Sequence, residues 1–145
     1  MEWQLKKFHE LSLNELYSIM KLRQDVFILE QKCLYRDLDD LDQNALHQMA
    51  RINHQVIAYS RLLISKTLVK IQRVMIDKSY RGQRLGYQLM NQNIAYIQTH
   101  PVITSAELNA QTHLQAFYQQ WGFTAIGQSF LEDGIPHIKM VRVQI

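Results

Sequence analysis

The run from Arg73 to Met90, Arg-Val-Met-Ile-Asp-Lys-Ser-Tyr-Arg-Gly-Gln-Arg-Leu-Gly-Tyr-Gln-Leu-Met, limits the choice of fold more than any other part of the chain. It reads as a strand, a cationic glycine-bearing turn and a helix starting near Gln83, in direct succession. A strand feeding straight into a helix calls for helices layered on a sheet. The first N–H groups of that helix have no intrahelical partner, and their summed dipole favours negative charge at the turn. Arg81 and Arg84 add full positive charge, while Gly82 and Gly86 place no side chain between backbone and ligand. A phosphate or pyrophosphate fits this cradle. The plainer alternative is a structural turn with solvated arginines, and spacing alone leaves the two near even. Neither a Walker A loop nor the Gly-x-Gly-x-x-Gly fingerprint is present.

The chain has 145 residues, 47% of them apolar, enough for one ordinary core and too few for two comfortable domains, so residues 1–145 are read as one domain. No apolar stretch approaches the roughly 20 residues of a membrane span, and the N-terminus lacks a signal-peptide plan. Cys33 is the only cysteine, which excludes an intrachain disulfide and a cysteine-built metal site. A soluble, cytoplasmic protein is expected. The net charge of +3 suits an anionic small molecule as well as nucleic acid. Basic residues gather between Lys66 and Arg84, whereas Asp37, Asp39, Asp40 and Asp42 form an acidic patch.

Trp3 to Phe8 reads as a first strand. Ser12-Leu-Asn-Glu15 is a capping-box signature, and apolar residues at helical spacing then predict a helix from Ser12 to Phe27. The segment from Ile28 to Gln43 is irregular. Ala45–Ile52 and Val56–Leu63 are strand-like around Asn53-His54, and Val69–Ile76 continues the meander. A helix carrying Leu85 to Ile97 ends before Pro101. Ser105–Ala110 reads as a strand, Leu114 to Trp121 as a short helix closed by Gly122, and the tail from Thr124 to Val143 as two strands around Asp133-Gly134. The order β-α-β-β-β-α-β-α-β-β is that of an α/β (α+β) layer fold.

The turn region resembles the acetyl-CoA motif Gln/Arg-x-x-Gly-x-Gly/Ala of the GCN5-related N-acetyltransferases (GNAT). Arg81 matches the first position and Gly86 the last, while Arg84 stands where that family most often has its first glycine. An αL conformation there is costly for arginine but not prohibitive. Leu108 to Phe123, with Phe117-Tyr118 and the closing Gly122-Phe123, is similar to the family's later motif. Val26-Phe-Ile-Leu-Glu-Gln31, the Asp37–Asp42 region, Ala110-Gln-Thr-His-Leu114 and Glu132-Asp-Gly-Ile-Pro-His137 resemble its ElaA-type branch over nearly the full length.

This resemblance implies a mixed central sheet of about six to seven strands flanked by helices on both faces. It implies acetyl-CoA as co-substrate, with no metal, and transfer of its acetyl group to a primary amine of a small molecule or peptide by direct attack in a ternary complex. Coenzyme contacts would come from Val74, Met75 and Ile76, with Val74 and Ile76 pairing their backbone with pantetheine. Further contacts would come from Arg81, Gly82, Gln83, Arg84, Leu85, Gly86 and Tyr87 at the pyrophosphate, and from Ala110, Leu114 and Phe117 along the far wall. Tyr118 matches the family's usual general acid, and a backbone N–H at or near Ile76 would stabilise the oxyanion. Without the resemblance, Tyr118 is one more aromatic of a core stripe. Homodimers are common in the family.

The general base has no obvious residue, because the strand before the turn lacks the glutamate that many family members carry. Glu30, Glu107, His47, His113 and His137 are candidates. Glu30, Asp37, Asp39, His113 and His137 are the candidates for contact with the acceptor. For Asp37 to Asp42 a calcium loop is excluded by Leu41 and by the missing glycine, leaving a solvated acidic loop or an attractor for a cationic amine. Two other classes compete. A non-catalytic acyl-CoA-binding sensor or scaffold is favoured by the missing glutamate. A nucleic-acid module would need aromatic residues among the basic ones, and Tyr80 and Tyr87 supply only a thin version; neither nucleic acid nor membrane is expected as a partner.

Overall fold

The computed structural model describes residues 1–144. In chain order it contains β1 (Glu2–Lys7), α1 (Leu13–Arg23), β2 (Leu46–Ile52), β3 (Gln55–Ser65), β4 (Leu68–Ile76), α2 (Leu85–Gln98), β5 (Ser105–Gln111), α3 (Gln115–Gln119), β6 (Thr124–Glu132) and β7 (Ile135–Val143). The expected element order is the observed one. The seven strands form one mixed sheet in the order β1-β2-β3-β4-β5-β7-β6, in which β4 and β5 are parallel and every other neighbouring pair is antiparallel. A parallel pair needs a long crossover, which α2 supplies. No described helix is long and apolar enough to cross a membrane.

Ser12 starts α1 as its sequence implies: its hydroxyl accepts from the Glu15 N–H at 3.0 Å while Glu15 accepts from the Ser12 N–H at 2.8 Å. The α-helix does not run to Phe27. It ends at Arg23 and gives way to a π-helical stretch, Gln24–Glu30. The wider turn keeps Val26 buried while Phe27 and Gln31 line a cleft. Likewise α2 begins at Leu85 and not near Gln83.

Neighbouring residues of a strand point to opposite faces, so each face of the sheet carries its own core. Tyr59 and Met75 pack with Ile19, Leu22 and Val26 beneath α1. Val69 and Ile71 pack with Met90, Ile94 and Ile97 beneath α2, which also covers Ala58 through Leu85. A bulge in β4 changes this alternation partway along the strand. Arg61 pairs with Gln72 and Tyr59 with Met75, so Ser60 faces both Arg73 and Val74. Arg73 takes φ 56°, in the left-handed region. The extra residue sends Val74 to the α2 side and Met75 to the α1 side, the reverse of an unbroken strand.

Candidate active site

The parallel pairing of β4 with β5 stops early. It joins Leu68, Val69 and Lys70 to Ser105, Ala106 and Glu107, beyond which the strands diverge while β5 stays paired with β7 as far as Gln111. The far half of β4 therefore has a free edge. The Asp77 N–H bonds the Ile57 carbonyl at 2.8 Å, which makes Ala58–Ile76 a non-hydrogen-bonded pair. The N–H and C=O of Ile76 face the gap, and by alternation so do those of Val74. Met75, expected at the coenzyme, does not: its backbone turns to β3 and its side chain is buried beneath α1. The bulge is the cause.

At one end of the gap, a recess of about 330 Å³ is bordered by Ile76, Arg81, Gly82, Arg84, Leu85, Gly86, Tyr87 and Phe117. Arg84 precedes α2 with φ 62° and ψ 22°, and no side chain caps the helix. The first helical bond runs from the Gln88 N–H to the Arg84 carbonyl at 3.1 Å. The N–H groups of Leu85, Gly86 and Tyr87 are thus left for an external acceptor. The Arg84 guanidinium lies 4.8 Å from the centre of the Tyr87 ring. At Gly86 an added Cβ would meet the Phe117 ring at 3.5 Å, and Gly82 holds φ 80° with open space around it. Uncapped donors, a guanidinium and bare backbone fit an anionic phosphate group. Gln83 is exposed and does not border the recess.

Arg81 is engaged with the protein itself. It donates from Nε and one terminal nitrogen to the Ile76 carbonyl, at 3.2 and 3.1 Å, and forks onto both carboxylate oxygens of Glu30. That bond lowers the pKa of Glu30 against the opposing effect of burial, with help from the charges of Arg81 and Lys78. Arg81 and Glu30, expected at opposite ends of the chemistry, are each other's partner.

Where the two strands part, a cleft of about 600 Å³ opens between them. Val74, Leu108, Leu114 and Tyr118 line it together with Cys33, Asp37, Glu132 and His137. Tyr118 is 6% exposed, and burial pushes its phenol up to about 12, so it keeps its proton at neutral pH. Its ring is set edge-on to Phe117 at 5.1 Å. Ala110, expected at the coenzyme, is buried in the core and borders neither cavity.

Of the acidic segment, Asp37, Asp39 and Asp42 are held by arginines, while Asp40 is exposed. Asp37 accepts from Arg23 at 2.7 Å and Arg73 at 2.8 Å, Asp39 from Arg61 at 2.8 Å, and Asp42 from Arg23 at 2.7 Å and Arg61 at 3.0 Å. Arg23 and Arg61 are fully buried. Burial would raise the carboxyl of Asp39, but Arg61, the Leu41 N–H and the Arg73 charge outweigh it and bring it to about 2. Asp42 is held down in the same way by Arg23 and Arg61. Arg73 alone of the basic run from Lys66 to Arg84 joins this network. Arg61 and Arg23 were missed as its members, although an arginine inside the apolar run Val56–Leu63 was the available signal.

The candidate bases separate. His47 is fully buried; its Nε2–H donates to the Asp42 carbonyl at 2.9 Å and its Nδ1 accepts from the Tyr59 hydroxyl at 2.6 Å, so neither nitrogen is available. Burial first, with the charges of Arg23 and Arg61, lowers its pKa over the opposing pull of Asp42. Glu107 sits between Lys70 and Lys139. His113 is exposed and borders neither recess. His137 alone among the candidate histidines lines the cleft with Tyr118.

Residues 14–143 match the family model described as an acetyltransferase (GNAT) domain. The protein ElaA of Escherichia coli K12 is 40% identical over 147 residues, covering 98% of this chain and 96% of its own. The crystal structure of Escherichia coli ElaA superposes with a TM-score of 0.92 at 39% identity, over 98% of this chain and 99% of that one. An acyl-CoA N-acyltransferase from Pseudomonas aeruginosa superposes with a TM-score of 0.92 at 40% identity, over 99% of this chain and all of the other. With a sheet that parts at β4 and β5, an uncapped helix at one end of the gap and these relatives over nearly its whole length, the chain belongs to the GNAT acetyltransferase family.

Proposed function

We propose that residues 1–145 are a single N-acetyltransferase domain that takes acetyl-CoA as donor and acetylates a primary amine of a small molecule or peptide within a ternary complex. The observation carrying this reading is the parting of the sheet: the cleft that Tyr118 lines lies between the diverging ends of β4 and β5, and an anion recess borders Ile76 at the end of β4. The acyl-CoA N-acyltransferase from Pseudomonas aeruginosa supports the donor class.

In this reading Arg84 and the N–H groups of Leu85, Gly86 and Tyr87 hold the pyrophosphate. Arg81 occupies the Ile76 carbonyl, which leaves the backbone of Val74 to pair with the extended pantetheine arm. Bound acetyl-CoA supplies the thioester. The Ile76 N–H, directed into the gap, stabilises negative charge developing on the thioester oxygen. Tyr118, still protonated at neutral pH, gives its proton to the departing sulfur. The part of the cleft lined by Glu132 and His137 receives the amine.

A second reading, an acyl-CoA-binding sensor or scaffold without turnover, is favoured by one fact: β4 carries no carboxylate. Thiol release from acetyl-CoA in the presence of polyamines, aminoglycosides, amino acids and peptide amines separates the two. Amine-dependent release is expected. Calorimetric binding of acetyl-CoA with no release over the whole panel would establish the sensor instead.

A further inference from the structure

Resting on the acetyl-transfer reading, we propose that His137 takes the proton from the incoming ammonium group and that Glu132 is the positioning residue that holds the protonated ring. The hairpin between β6 and β7 is what brings them together. Asp133 and Gly134 both have positive φ, 55° and 76°, as a two-residue type I′ turn requires. The turn fixes the register Glu132–Ile135, Leu131–Pro136 and Phe130–His137. Phe130 lies beside the imidazole, with 6.3 Å between centroids and 24° between the ring planes.

The tautomer follows from the neighbours. Nδ1 of His137 lies 2.6 Å from the Ile135 carbonyl, which only accepts, so Nδ1 carries a hydrogen. In the neutral ring Nε2 then carries the lone pair. It lies 3.4 Å from a Glu132 oxygen, and a carboxylate facing a lone pair becomes attractive only when Nε2 gains a proton. Asn109 steadies the other oxygen of Glu132 at 3.4 Å. The remaining charged groups around the cleft are Asp133 on the turn and Arg36, Asp37 and Arg73 across it, of which Asp37 and Arg73 pair with each other. Gln111, opposite His137 on β5, is neutral.

An amine arrives as R–NH3⁺ and must lose a proton before it can attack. Nε2 of His137 takes that proton, and the imidazolium is held between the Ile135 carbonyl and the Glu132 carboxylate. The nitrogen lone pair forms the C–N bond, the C–S bond breaks, and its electron pair leaves on sulfur. Sulfur takes the Tyr118 proton, the second proton leaving nitrogen restores the Tyr118 hydroxyl, and His137 returns its proton to solvent. One ammonium and one thioester become one amide, one thiol and one proton.

The test uses the whole chain, acetyl-CoA and the best acceptor of the amine panel, with His137→Gln and Glu132→Gln. His137→Gln is expected to lower kcat about a hundredfold or more, to abolish the acidic limb of the kcat/KM profile, and to leave calorimetric binding of acetyl-CoA unchanged. Glu132→Gln, a near-isosteric change on a side chain 44% exposed, is expected to lower kcat by a smaller factor than His137→Gln does while leaving KM for the amine and calorimetric binding of acetyl-CoA unchanged, because the imidazolium loses its carboxylate. An active parent whose rate and profile are matched by His137→Gln overturns the role of His137 alone. A kcat undiminished in Glu132→Gln, or a loss that falls on KM alone, overturns the role of Glu132. A parent that binds acetyl-CoA but acetylates no amine overturns the transfer reading, and this role with it.

Discussion

Arg73 donates its Nε to Asp37 at 2.8 Å while its own backbone sits at φ 56° in the bulge of β4. The residue that breaks the regular pairing of the strand is thereby tied to the acidic segment, and the Asp37 carbonyl accepts from the same guanidinium at 3.2 Å. A left-handed conformation in a strand costs roughly 1–3 kcal/mol. Side-chain bonds of this charged kind offset it at about 1.5–3 kcal/mol. The kink that frees the edge at Val74 and Ile76 is therefore maintained from outside the strand.

Substitution at Arg73 separates the two contributions. Arg73→Gly removes the backbone cost together with the anchor, whereas Arg73→Val removes the anchor and adds a β-branched residue ill suited to positive φ. Urea unfolding is expected to show Arg73→Val less stable than Arg73→Gly by about 1–2 kcal/mol. Equal stability of the two variants would mean that the bulge has relaxed and stores no strain.

Acid should weaken the fold in two stages. His47 has a folded pKa below its ordinary 6.5, because burial and two arginine charges oppose its protonation. The unfolded chain therefore binds this proton more readily, and stability falls as pH drops below about 6.5. Asp39 and Asp42 lie below the ordinary 3.8 in the fold, so their contribution is complete above that value and lost as pH falls below it, for Asp39 toward about 2. Thermal unfolding from pH 7 to pH 3 should show both declines. In His47→Asn the first decline should vanish; its persistence would assign it to another group.

Breaking the network from its buried side is expected to be severe. Arg61→Met leaves Asp39 without its shortest partner and Asp42 with Arg23 alone. Removing one member of a buried ion pair costs about 3–5 kcal/mol, read as a lower urea midpoint. A variant within about 1 kcal/mol of the parent would show the network to be energetically idle.

Elements built from local signals were legible in the chain. The Ser12–Glu15 box, the Asp133-Gly134 turn and the arginine–glycine turn before α2 each need only a few consecutive residues. What escaped depends on distant partners. Nothing in Asp37 to Asp42 announces that Arg23 from a helix and Arg61 from a strand will meet it, since the pairing exists only once α1 has packed on β3. The bulge at Arg73 carries no glycine or proline to mark it, and that one extra residue is why Met75 faces α1 while Val74 faces the α2-side core. Glu30 and Arg81 likewise meet only through the π-helical turn after α1.

Tyr118 tests the proton donor. Tyr118→Phe keeps the ring against Phe117 and removes only the hydroxyl, for which burial is the sole cause of the raised pKa. Folding and acetyl-CoA affinity are expected to stay at the parent's level while kcat drops about a hundredfold or more, the range for a positioned acid. Steady-state rates beside calorimetry check this, and undiminished turnover would remove Tyr118 from the reaction.

Arg84 sets stability against binding. Arginine at φ 62° carries a left-handed cost of roughly 1–2 kcal/mol that glycine avoids, so Arg84→Gly is expected to raise the thermal midpoint. The same change removes the one guanidinium at the recess that is not already bonded to a carboxylate, since Arg81 is clasped by Glu30. A charged hydrogen bond lost to a phosphate is worth about 1.5–3 kcal/mol, so acetyl-CoA should bind roughly ten- to a hundredfold more weakly. Arg81→Ala combined with Arg84→Ala should weaken it further only to the extent that Arg81 leaves Glu30 for the ligand. Unchanged affinity in the folded double variant would remove both arginines from coenzyme recognition.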